Sequence, residues 1–381
     1  PAFGCGDDNG AGGNCMNWKS YGVWALRAVA LLLVGGSLLS TTDLNQWWIR
    51  IWDFPRIQIL IAMIATMFAL HRFDKAWSPW LPIALLGFAT WQFYRVLPYT
   101  PLAKTEVARV AVDQTDRTGC FTALTLNVLQ DNREYGRTLE LVRRVDPDIV
   151  LLMEIDQAWA DALEPVLADY PDRIDRPLDN TYGIMFASRL PMRNASIQDL
   201  AQKDTPSVFA TLSAGGHDFR MIALHPRPPR PNQDTEERDA EIIMAARKSQ
   251  DLALPVLAIG DFNDVAWSDT TRLFKDLGGF LDPRRGRGTY ASFPANMVWL
   301  GWPLDHLFIT EEFLFSDMRI GESVGSDHRP VIARLCLDPE RARMRNANAA
   351  APDTGDKEAA DEVMEEFEED TARDAVEGEA G

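Results

Sequence analysis

Apolar and polar positions divide the chain into two parts with different patterns. Within the first hundred residues, three long apolar segments run from about Val23 to Ser40, from Ile57 to Leu70 and from Ala76 to Tyr94. Tryptophan and tyrosine cluster at their ends, as they do where helices cross the interface of a bilayer. The lengths approach the roughly 20 residues that a membrane span needs. The pattern predicts three transmembrane helices within residues 16–97, with buried helices of a soluble protein as the alternative.

Residues 118–338 show a second pattern, in which short apolar runs alternate with amphipathic segments. Cys120–Asn127 alternates as a strand does, Thr138–Val145 has helical spacing, and Ile149–Met153 is entirely apolar. Several more strands and helices follow in the same manner. The mixture predicts one α/β or α+β domain, which a polar linker at 98–117 joins to the apolar segments.

The two ends of the chain differ from both patterns. Residues 1–15 are rich in Gly, Asn and Asp and are predicted to be an unstructured leader that is an upstream extension. From residue 338 to the end the chain carries 15 acidic and 5 basic residues and few apolar ones. Such a composition buries too little apolar surface to offset the entropy of ordering, so residues 339–381 are predicted to be a disordered acidic tail.

Charge and cysteine content exclude some functions. The net charge of −18 argues against a protein that grips nucleic acid through a broad basic face. A nuclease remains open, because metal-binding carboxylates add to the acidic count. The four cysteines contain no Cys-x-x-Cys pair and no zinc-like spacing with histidine, which argues against a structural zinc site.

Polar residues collect at the ends of the predicted strands. The run Gly260-Asp261-Phe262-Asn263-Asp264 directly follows the buried strand 254–259, and it presents groups that suit a hard divalent cation and a phosphate. A polar turn is the alternative for any single example. Eight candidates share this placement, and coincidence is then improbable: they are Asn127, Glu154, His225, Asp261, Asn263, Asp305, Asp327 and His328.

The motifs, taken in order, resemble a known family. They are Leu-Asn127-Val, Met-Glu154, Leu-His225-Pro, Gly-Asp261-Phe-Asn263, Leu-Asp305-His and Ser-Asp327-His328-Arg-Pro. Together they resemble the endonuclease/exonuclease/phosphatase superfamily over about residues 118–338. The resemblance implies a four-layered α/β sandwich of two packed sheets flanked by helices, with the site at one end. The apolar segments resemble those of bacterial members that carry N-terminal helices, which implies a multi-pass protein of the bacterial inner membrane.

The resemblance also implies a division of roles around a metal ion. Glu154, helped by Asn127, would hold Mg²⁺, for which Mn²⁺ is a possible substitute, and Asp327 would touch the metal or support its loop. The chemistry agrees, because Mg²⁺ prefers few carboxylates together with water and substrate phosphate.

The remaining candidates are expected to act on water and phosphate. Asp261 would orient or deprotonate the attacking water, and Asn263 would bond a phosphate oxygen. His328, oriented by Asp305, would pair with the phosphate or transfer a proton. His225 stands where sphingomyelinase-like members have a phosphate-contacting histidine, which favours substrates other than damaged DNA. Two arginines, Arg238 and Arg287, are further candidates for phosphate contacts.

Three functions compete at this point. The leading hypothesis is a membrane-anchored, Mg²⁺-dependent phosphoesterase that hydrolyses a lipid or another small phosphoester by attack of water. A membrane-tethered nuclease is the first alternative, and a catalytically silent membrane interaction module is the second. The sequence does not specify whether the substrate is a diester or a monoester. It also does not specify the oligomeric state or a partner of the tail.

The side of the membrane is indicated by charge and by two cysteines. Lys19, Arg27, Arg72 and Lys75 favour an N-terminus inside the cytoplasm, which would place the later chain outside, although Arg95, Lys104 and Arg109 oppose this. The resembled fold is expected to pair the first and last strands, and Cys120 and Cys336 would each lie roughly 23–26 Å from the site. The resemblance therefore suggests a Cys120–Cys336 disulfide in an oxidising compartment.

Overall fold

The computed structural model describes residues 18–74, 79–111, 119–231, 233–251 and 253–380. The chain falls into two units: a helical unit (Pro1–Leu44 and Pro55–Val96) and an α/β unit (Asn45–Phe54 and Leu97–Gly381). The predicted leader at 1–15, with two of the four cysteines, lies outside the described residues, and so does part of the predicted linker.

The helices and strands have the following bounds. The helices are α1 (Trp18–Leu39), α2 (Trp47–Arg50), α3 (Arg56–Phe73), α4 (Trp80–Val96), α5 (Tyr135–Val145), α6 (Gln157–Leu167), α7 (Glu236–Ser249), α8 (Asp269–Leu277), α9 (Pro339–Arg343) and α10 (Thr354–Ala380). The strands are β1 (Cys120–Asn127), β2 (Ile149–Met153), β3 (Asp172–Arg176), β4 (Ile184–Ser188), β5 (Met192–Asp199), β6 (Pro206–Ala214), β7 (His217–Leu224), β8 (Val256–Asp261), β9 (Asp305–Ile309), β10 (Phe313–Ile320) and β11 (Val331–Leu337).

Helices α1, α3 and α4 make up the described part of the helical unit. Two stretches, Ser20–Leu39 and Arg56–Phe73, are long and apolar enough to cross a membrane, judged by length and composition only. The third predicted span corresponds to α4, whose described part has 17 residues and does not reach that length. Its predicted start at Ala76 lies outside the described residues. Two candidate spans are therefore shown instead of three.

Polar side chains inside the helical unit satisfy one another. Arg56 is fully buried and donates through Nη1 to Oε1 of Gln92 at 2.9 Å. Gln92 in turn donates through Nε2 to Oγ of Ser37 at 2.9 Å. Because an unsatisfied buried polar group is costly, these bonds fix how α1, α3 and α4 pack on one another.

Two mixed sheets form the centre of the α/β unit. One has six strands in the order β10-β11-β1-β2-β4-β3, and the other has five in the order β5-β6-β7-β8-β9. Within each sheet one pair is parallel, β1 with β2 and β7 with β8. The other pairs are antiparallel.

The side chains of each apolar strand alternate between the space between the two sheets and the helices outside them, and this alternation explains the layered arrangement. Leu151 and Leu257 belong to the apolar cluster between the sheets. Their neighbour Val150 packs with residues of α5 and α6, and Val256 packs with residues of α7 and α8. Successive side chains of a strand point to opposite faces, so a strand buried on both faces must be apolar throughout. The predicted α/β sandwich of two sheets flanked by helices is confirmed.

A disulfide joins the first and last strands of the six-stranded sheet. Strands β1 and β11 are antiparallel, with Cys120 directly opposite Cys336. The two residues form a disulfide with a Cα–Cα distance of 3.9 Å. The two cysteines paired in the sequence analysis thus lie within the roughly 7 Å that a bridge requires.

The acidic tail is helical, and the expectation of disorder was wrong for the described residues. Ala360 of α10 is buried in an apolar cluster with Ile243 of α7 and Leu273 of α8. Val363 and Met364 pack against the same cluster. The few apolar residues recur three to four positions apart, so they share one helical face that overall composition does not reveal.

We expect Ala360→Asp to destabilise the α/β unit by about 1–3 kcal/mol, because it places an unpaired carboxylate in this apolar cluster. Ala372→Asp, the same change at an exposed position of α10, is the matched control and should stay within about 0.5 kcal/mol of the unaltered chain. Thermal unfolding of the full chain measures both. Equal melting temperatures for the two variants would show that the tail does not pack on the domain.

Candidate active site

The strand order brings most of the candidate residues to one edge of the two sheets. Asn127 ends β1 and Glu154 follows β2, its parallel neighbour. In the other sheet Asp261 ends β8, and it pairs with Asp305 at the start of antiparallel β9. Carboxyl ends of parallel strands meet at the same edge of a sheet, and the start of an antiparallel neighbour lies there too.

Asn127 connects the two sheets at this edge. Its Nδ2 donates to Oε1 of Glu154 at 2.8 Å and to Oδ2 of Asp261 at 3.1 Å. Its Oδ1 accepts from the backbone N–H of Leu129 at 3.0 Å. Asn127 therefore holds two carboxylates in place through its amide nitrogen, while its own oxygen is used by the backbone.

Glu154 is partly buried and keeps both oxygens hydrogen-bonded. Oε2 accepts from the N–H of Gln130 at 3.0 Å, in addition to the bond from Asn127 to Oε1. Burial raises the pKa of Glu154, and the nearby Asp327 adds to the rise, while the two donors act against it. A positive charge beside this carboxylate would lower the pKa again and favour the ionised form.

Gly260 allows Asp261 to reach the site. Its φ is +147°, and a Cβ there would lie 1.9 Å from the carbonyl oxygen of Leu224 on the parallel neighbour β7. Any other residue would push β7 and β8 apart. Asp261 itself is fully buried, and its Oδ1 accepts from the N–H of Asn263 at 2.9 Å.

His328 lies between two buried carboxylates. Nδ1 donates to Oδ2 of Asp305 at 2.8 Å, and Nε2 is 3.5 Å from Oδ2 of Asp261. Burial by itself would lower the pKa of His328, but Asp261 and Asp305 outweigh it and raise the pKa to about 10. The imidazole is therefore protonated at neutral pH, with Nε2–H directed at Asp261.

His225 has the opposite electrostatic character. It is buried against the ring of Tyr182, with 5.5 Å between ring centroids, and Nε2 is 3.9 Å from Oδ2 of Asp261. Burial lowers its pKa to about 4, and the charge of His328 acts in the same direction. Its Nδ1 has no hydrogen-bond partner among the described residues. A neutral and a charged imidazole thus flank the same carboxylate.

Two residues that the sequence analysis gave no role position the loop of His328. Oγ of Ser326 donates to the carbonyl of Asn127 at 2.7 Å and accepts from the N–H of His328 at 2.9 Å. The ring of Phe293 packs on His328, with 4.9 Å between centroids. Ser326 belongs to the Ser-Asp-His motif and could have been found there, whereas no sequence pattern points to Phe293.

Asp327 and Asn263 lie beside the site with different contacts. The side chain of Asp327 is exposed, and its charge acts on both Glu154 and His328. Nδ2 of Asn263 donates to the carbonyl of Pro226, the residue after His225, at 3.0 Å. Asn263 thereby ties the Asp261 loop to the His225 loop.

Both candidate arginines make hydrogen bonds within the protein. Arg238 is buried, pairs with Asp239 at 2.7 Å and donates to the backbone carbonyl of Asn263 at 3.2 Å. Arg287 donates to the carbonyls of Pro283 and Val107. Both guanidinium groups are hydrogen-bonded to the protein. Arg238 contacts the loop that carries Asn263, and Arg287 contacts residues outside the site. The backbone carbonyls among these partners could not be identified from sequence position, because the fold decides which carbonyls an arginine reaches.

The donor set fits a divalent cation of the hard type. Among the described residues, the ligand atoms of Asp261, Asp305 and His328 lie within 4.8 Å of one another. Those three already satisfy one another as a charged hydrogen-bonded group. Glu154 is the carboxylate whose only described partners are N–H donors, and Asp327 adds a second negative charge nearby. Mg²⁺ is usually bound by one or two protein carboxylates, while water and substrate phosphate fill its other coordination positions. Glu154 and Asp327 match this requirement.

Buried carboxylates and two imidazoles thus meet at one edge of a two-sheet sandwich, beside the partly buried Glu154. Residues 124–328 match the Endonuclease/Exonuclease/phosphatase family, and the chain belongs to this family. It is therefore a hydrolase of the nuclease and phosphatase kind, a family whose enzymes generally use divalent metal ions.

Several solved structures are similar to this chain at low sequence identity. D. rerio TDP2 complexed with a single-strand DNA product is 14% identical over 57% of this chain and 98% of that one, with a TM-score of 0.48. A Bacteroides vulgatus endonuclease/exonuclease/phosphatase is 19% identical over 57% and 99%, with a TM-score of 0.47. The human Nocturnin catalytic domain with bound sulfate is 15% identical over 58% and 95%, with a TM-score of 0.46. None of the curated proteins matches the chain in sequence.

Proposed function

We propose that this protein is a membrane-anchored, Mg²⁺-dependent phosphoesterase that hydrolyses a lipid or another small phosphoester by attack of water. The observation that carries the proposal is the hydrogen-bonded set in which Asn127 joins Glu154 to Asp261, and Asp261 faces a charged His328. A silent interaction module would have no use for so many buried ionisable groups at one edge, since each costs free energy to bury.

The residues divide the reaction between them. Oδ2 of Asp261 takes the proton of the attacking water, whose oxygen forms a new bond to phosphorus. The bond between phosphorus and the leaving oxygen breaks, and the leaving alkoxide takes up a proton from solvent water. His328 stabilises the charge on the phosphoryl oxygens through Nε2–H. Glu154 and Asp327 would hold the metal, which when bound polarises a phosphoryl oxygen. Neutral His225 can donate one hydrogen bond to a phosphate oxygen through the ring nitrogen that carries the proton.

Metal dependence tests the proposal. We expect full-length protein to hydrolyse bis(p-nitrophenyl) phosphate with Mg²⁺, to lose the activity in excess EDTA, and to regain it with Mg²⁺ or Mn²⁺. Glu154→Gln should lower kcat by at least ~10²-fold, because it removes the charge that holds the metal. Glu140→Gln, the same change at an exposed position of α5, should have no effect. Full activity in EDTA, or normal turnover by Glu154→Gln, would contradict the mechanism.

We propose an extracytoplasmic α/β unit on the basis of the disulfide. Disulfides persist in oxidising compartments and are rare in the cytosol. With Cys5 and Cys15 replaced by serine, only Cys120 and Cys336 remain, and in native membranes quenched with acid we expect them to react with a maleimide only after reduction. Labelling without reductant would place the unit in the cytoplasm.

A further inference from the structure

The segment between α1 and α3 is part of the α/β unit. Residues 45–54, here called the inter-helix segment, belong to that unit together with everything after residue 96. The carbonyl of Asn45 accepts from the N–H of Thr235 at 2.9 Å, and the carbonyl of Asp53 accepts from Nε1 of Trp267 at 2.8 Å. The helices that this segment connects are the two candidate membrane spans. A segment that joins two candidate membrane spans is thus hydrogen-bonded into the α/β unit.

A row of aromatic rings connects the inter-helix segment to the catalytic histidine. Phe54 packs edge-on against Trp302, with 5.7 Å between centroids. Trp302 stacks on Phe293 at 6.1 Å, and Phe293 packs on His328 at 4.9 Å. Three consecutive ring contacts therefore connect the inter-helix segment to His328.

Exposed apolar side chains occur on both sides of this row. On the inter-helix segment, Trp48 and Ile51 are 48% and 52% exposed. On the loop from Phe293 to Trp302, whose ends pair with each other, Trp299 is 78% exposed. Single exposed apolar side chains are common on soluble proteins, but tryptophan is enriched at the interface of a membrane with water.

We propose that Trp48, Ile51 and Trp299 contact the bilayer, and that the substrate is a phosphoester carried by a lipid of that bilayer. This rests on the proposed function and narrows its substrate class. The bilayer is the occupant because the inter-helix segment continues directly into both candidate spans. Side chains at the membrane interface lie at the level of the lipid headgroups. The active site would then reach the headgroup phosphate while the lipid stays in the bilayer.

Membrane contact can be measured without any activity. In the full chain with Cys5 and Cys15 replaced by serine, Trp299→Cys carries a nitroxide spin label, and the protein is reconstituted into phosphatidylcholine vesicles. We expect relaxation by oxygen dissolved in the lipid to exceed relaxation by a water-soluble nickel complex. Met344→Cys is the matched control, because Met344 is equally exposed at 78% but follows α9, near the disulfide end of the sheet. If the nickel complex relaxes the spin label more strongly than oxygen does at both positions, the proposed membrane contact is overturned.

Substrate class is tested with the same protein. Vesicles of phosphatidylethanolamine, phosphatidylglycerol and phosphatidic acid offer lipid diesters and a monoester, and bis(p-nitrophenyl) phosphate is the soluble comparison. We expect the Trp48→Ser/Trp299→Ser variant to hydrolyse vesicle lipid at least 10-fold more slowly with unchanged activity on the soluble diester, and Met344→Ser to change neither.

The outcomes separate the two proposals. Hydrolysis of the soluble diester but of no vesicle lipid by the unaltered chain overturns the lipid inference and leaves the phosphoesterase standing. Equal loss on both substrates in the Trp48→Ser/Trp299→Ser variant also overturns it, because the side chains would then act through the fold. Hydrolysis of neither substrate with Mg²⁺ overturns the proposed function, and the spin-label measurement alone then decides the membrane contact.

Discussion

Replacing Asp261 with asparagine should lower kcat by at least ~10²-fold on a soluble diester, the scale of one general base. The substitution keeps the size of the side chain and the bond that Oδ1 accepts from Asn263. It removes the oxygen that would take the proton of water. The new amide group also faces the donors Nδ2 of Asn127 and Nε2–H of His328, so the network loses its common acceptor. Steady-state kinetics with Mg²⁺ measure the effect.

Asp169→Asn is the control for this variant, because Asp169 is exposed at the end of α6 and outside the site. Its kcat should equal that of the unaltered chain. Circular dichroism and thermal unfolding then establish that Asp261→Asn remains folded. Turnover of a folded Asp261→Asn within a factor of a few of the unaltered rate would assign the base to another residue.

Replacing Arg284 with methionine should destabilise the α/β unit by about 3–5 kcal/mol, which is the cost of leaving a buried charge unpaired. Arg284 is fully buried and binds both carboxylate oxygens of Asp282, at 2.9 and 2.8 Å. Its Nη2 also donates to Nδ1 of His306 at 2.8 Å, and Nε2 of His306 donates to the carbonyl of Asp264. Burial lowers the pKa of His306 to about 3, and Arg284 acts in the same direction, so the ring stays neutral and supports the catalytic loop.

Arg285→Met is the matched control, because Arg285 pairs with Glu106 but is partly exposed. Such a pair contributes about 1 kcal/mol or less. The melting temperature of Arg284→Met should fall by roughly 10 °C, several times the change for Arg285→Met. Adding Asp282→Asn to Arg284→Met should restore part of the stability, since the unpaired charge is then gone. Similar melting temperatures for the two single variants would show that the buried Arg284–Asp282 pair contributes no more to stability than the partly exposed Arg285–Glu106 pair.

Short motifs were enough to locate the catalytic edge. Asn127, Glu154 and Asp261 each follow an apolar run that must be a buried strand, and residues at the ends of parallel strands meet without knowledge of the loops. The residues that orient them could not be located in this way. Phe293 contacts His328 only because the loop between α8 and β9 folds back on it.

Two errors have a common physical origin. Arg238 looked like a phosphate ligand and the tail looked disordered, because residue type and composition describe a side chain in isolation. The partners of Arg238 are Asp239 and a backbone carbonyl of the catalytic loop. Those of Ala360 are Ile243 and Leu273 on helices more than eighty residues earlier. In both cases a contact between distant parts of the chain decided the environment.

The sequence by itself was enough to predict the family, the α/β sandwich and the candidate site residues, since these depend on local periodicity and on motifs at strand ends. Only the tertiary structure decided the charge states of His225 and His328, because burial and the neighbouring carboxylates set their pKa values in opposite directions. It alone decided that residues 45–54 belong to the hydrolase domain. That segment reads as a connection between two apolar helices, and the hydrogen bonds that tie it to Thr235 and Trp267 join positions about 190 and 214 residues apart.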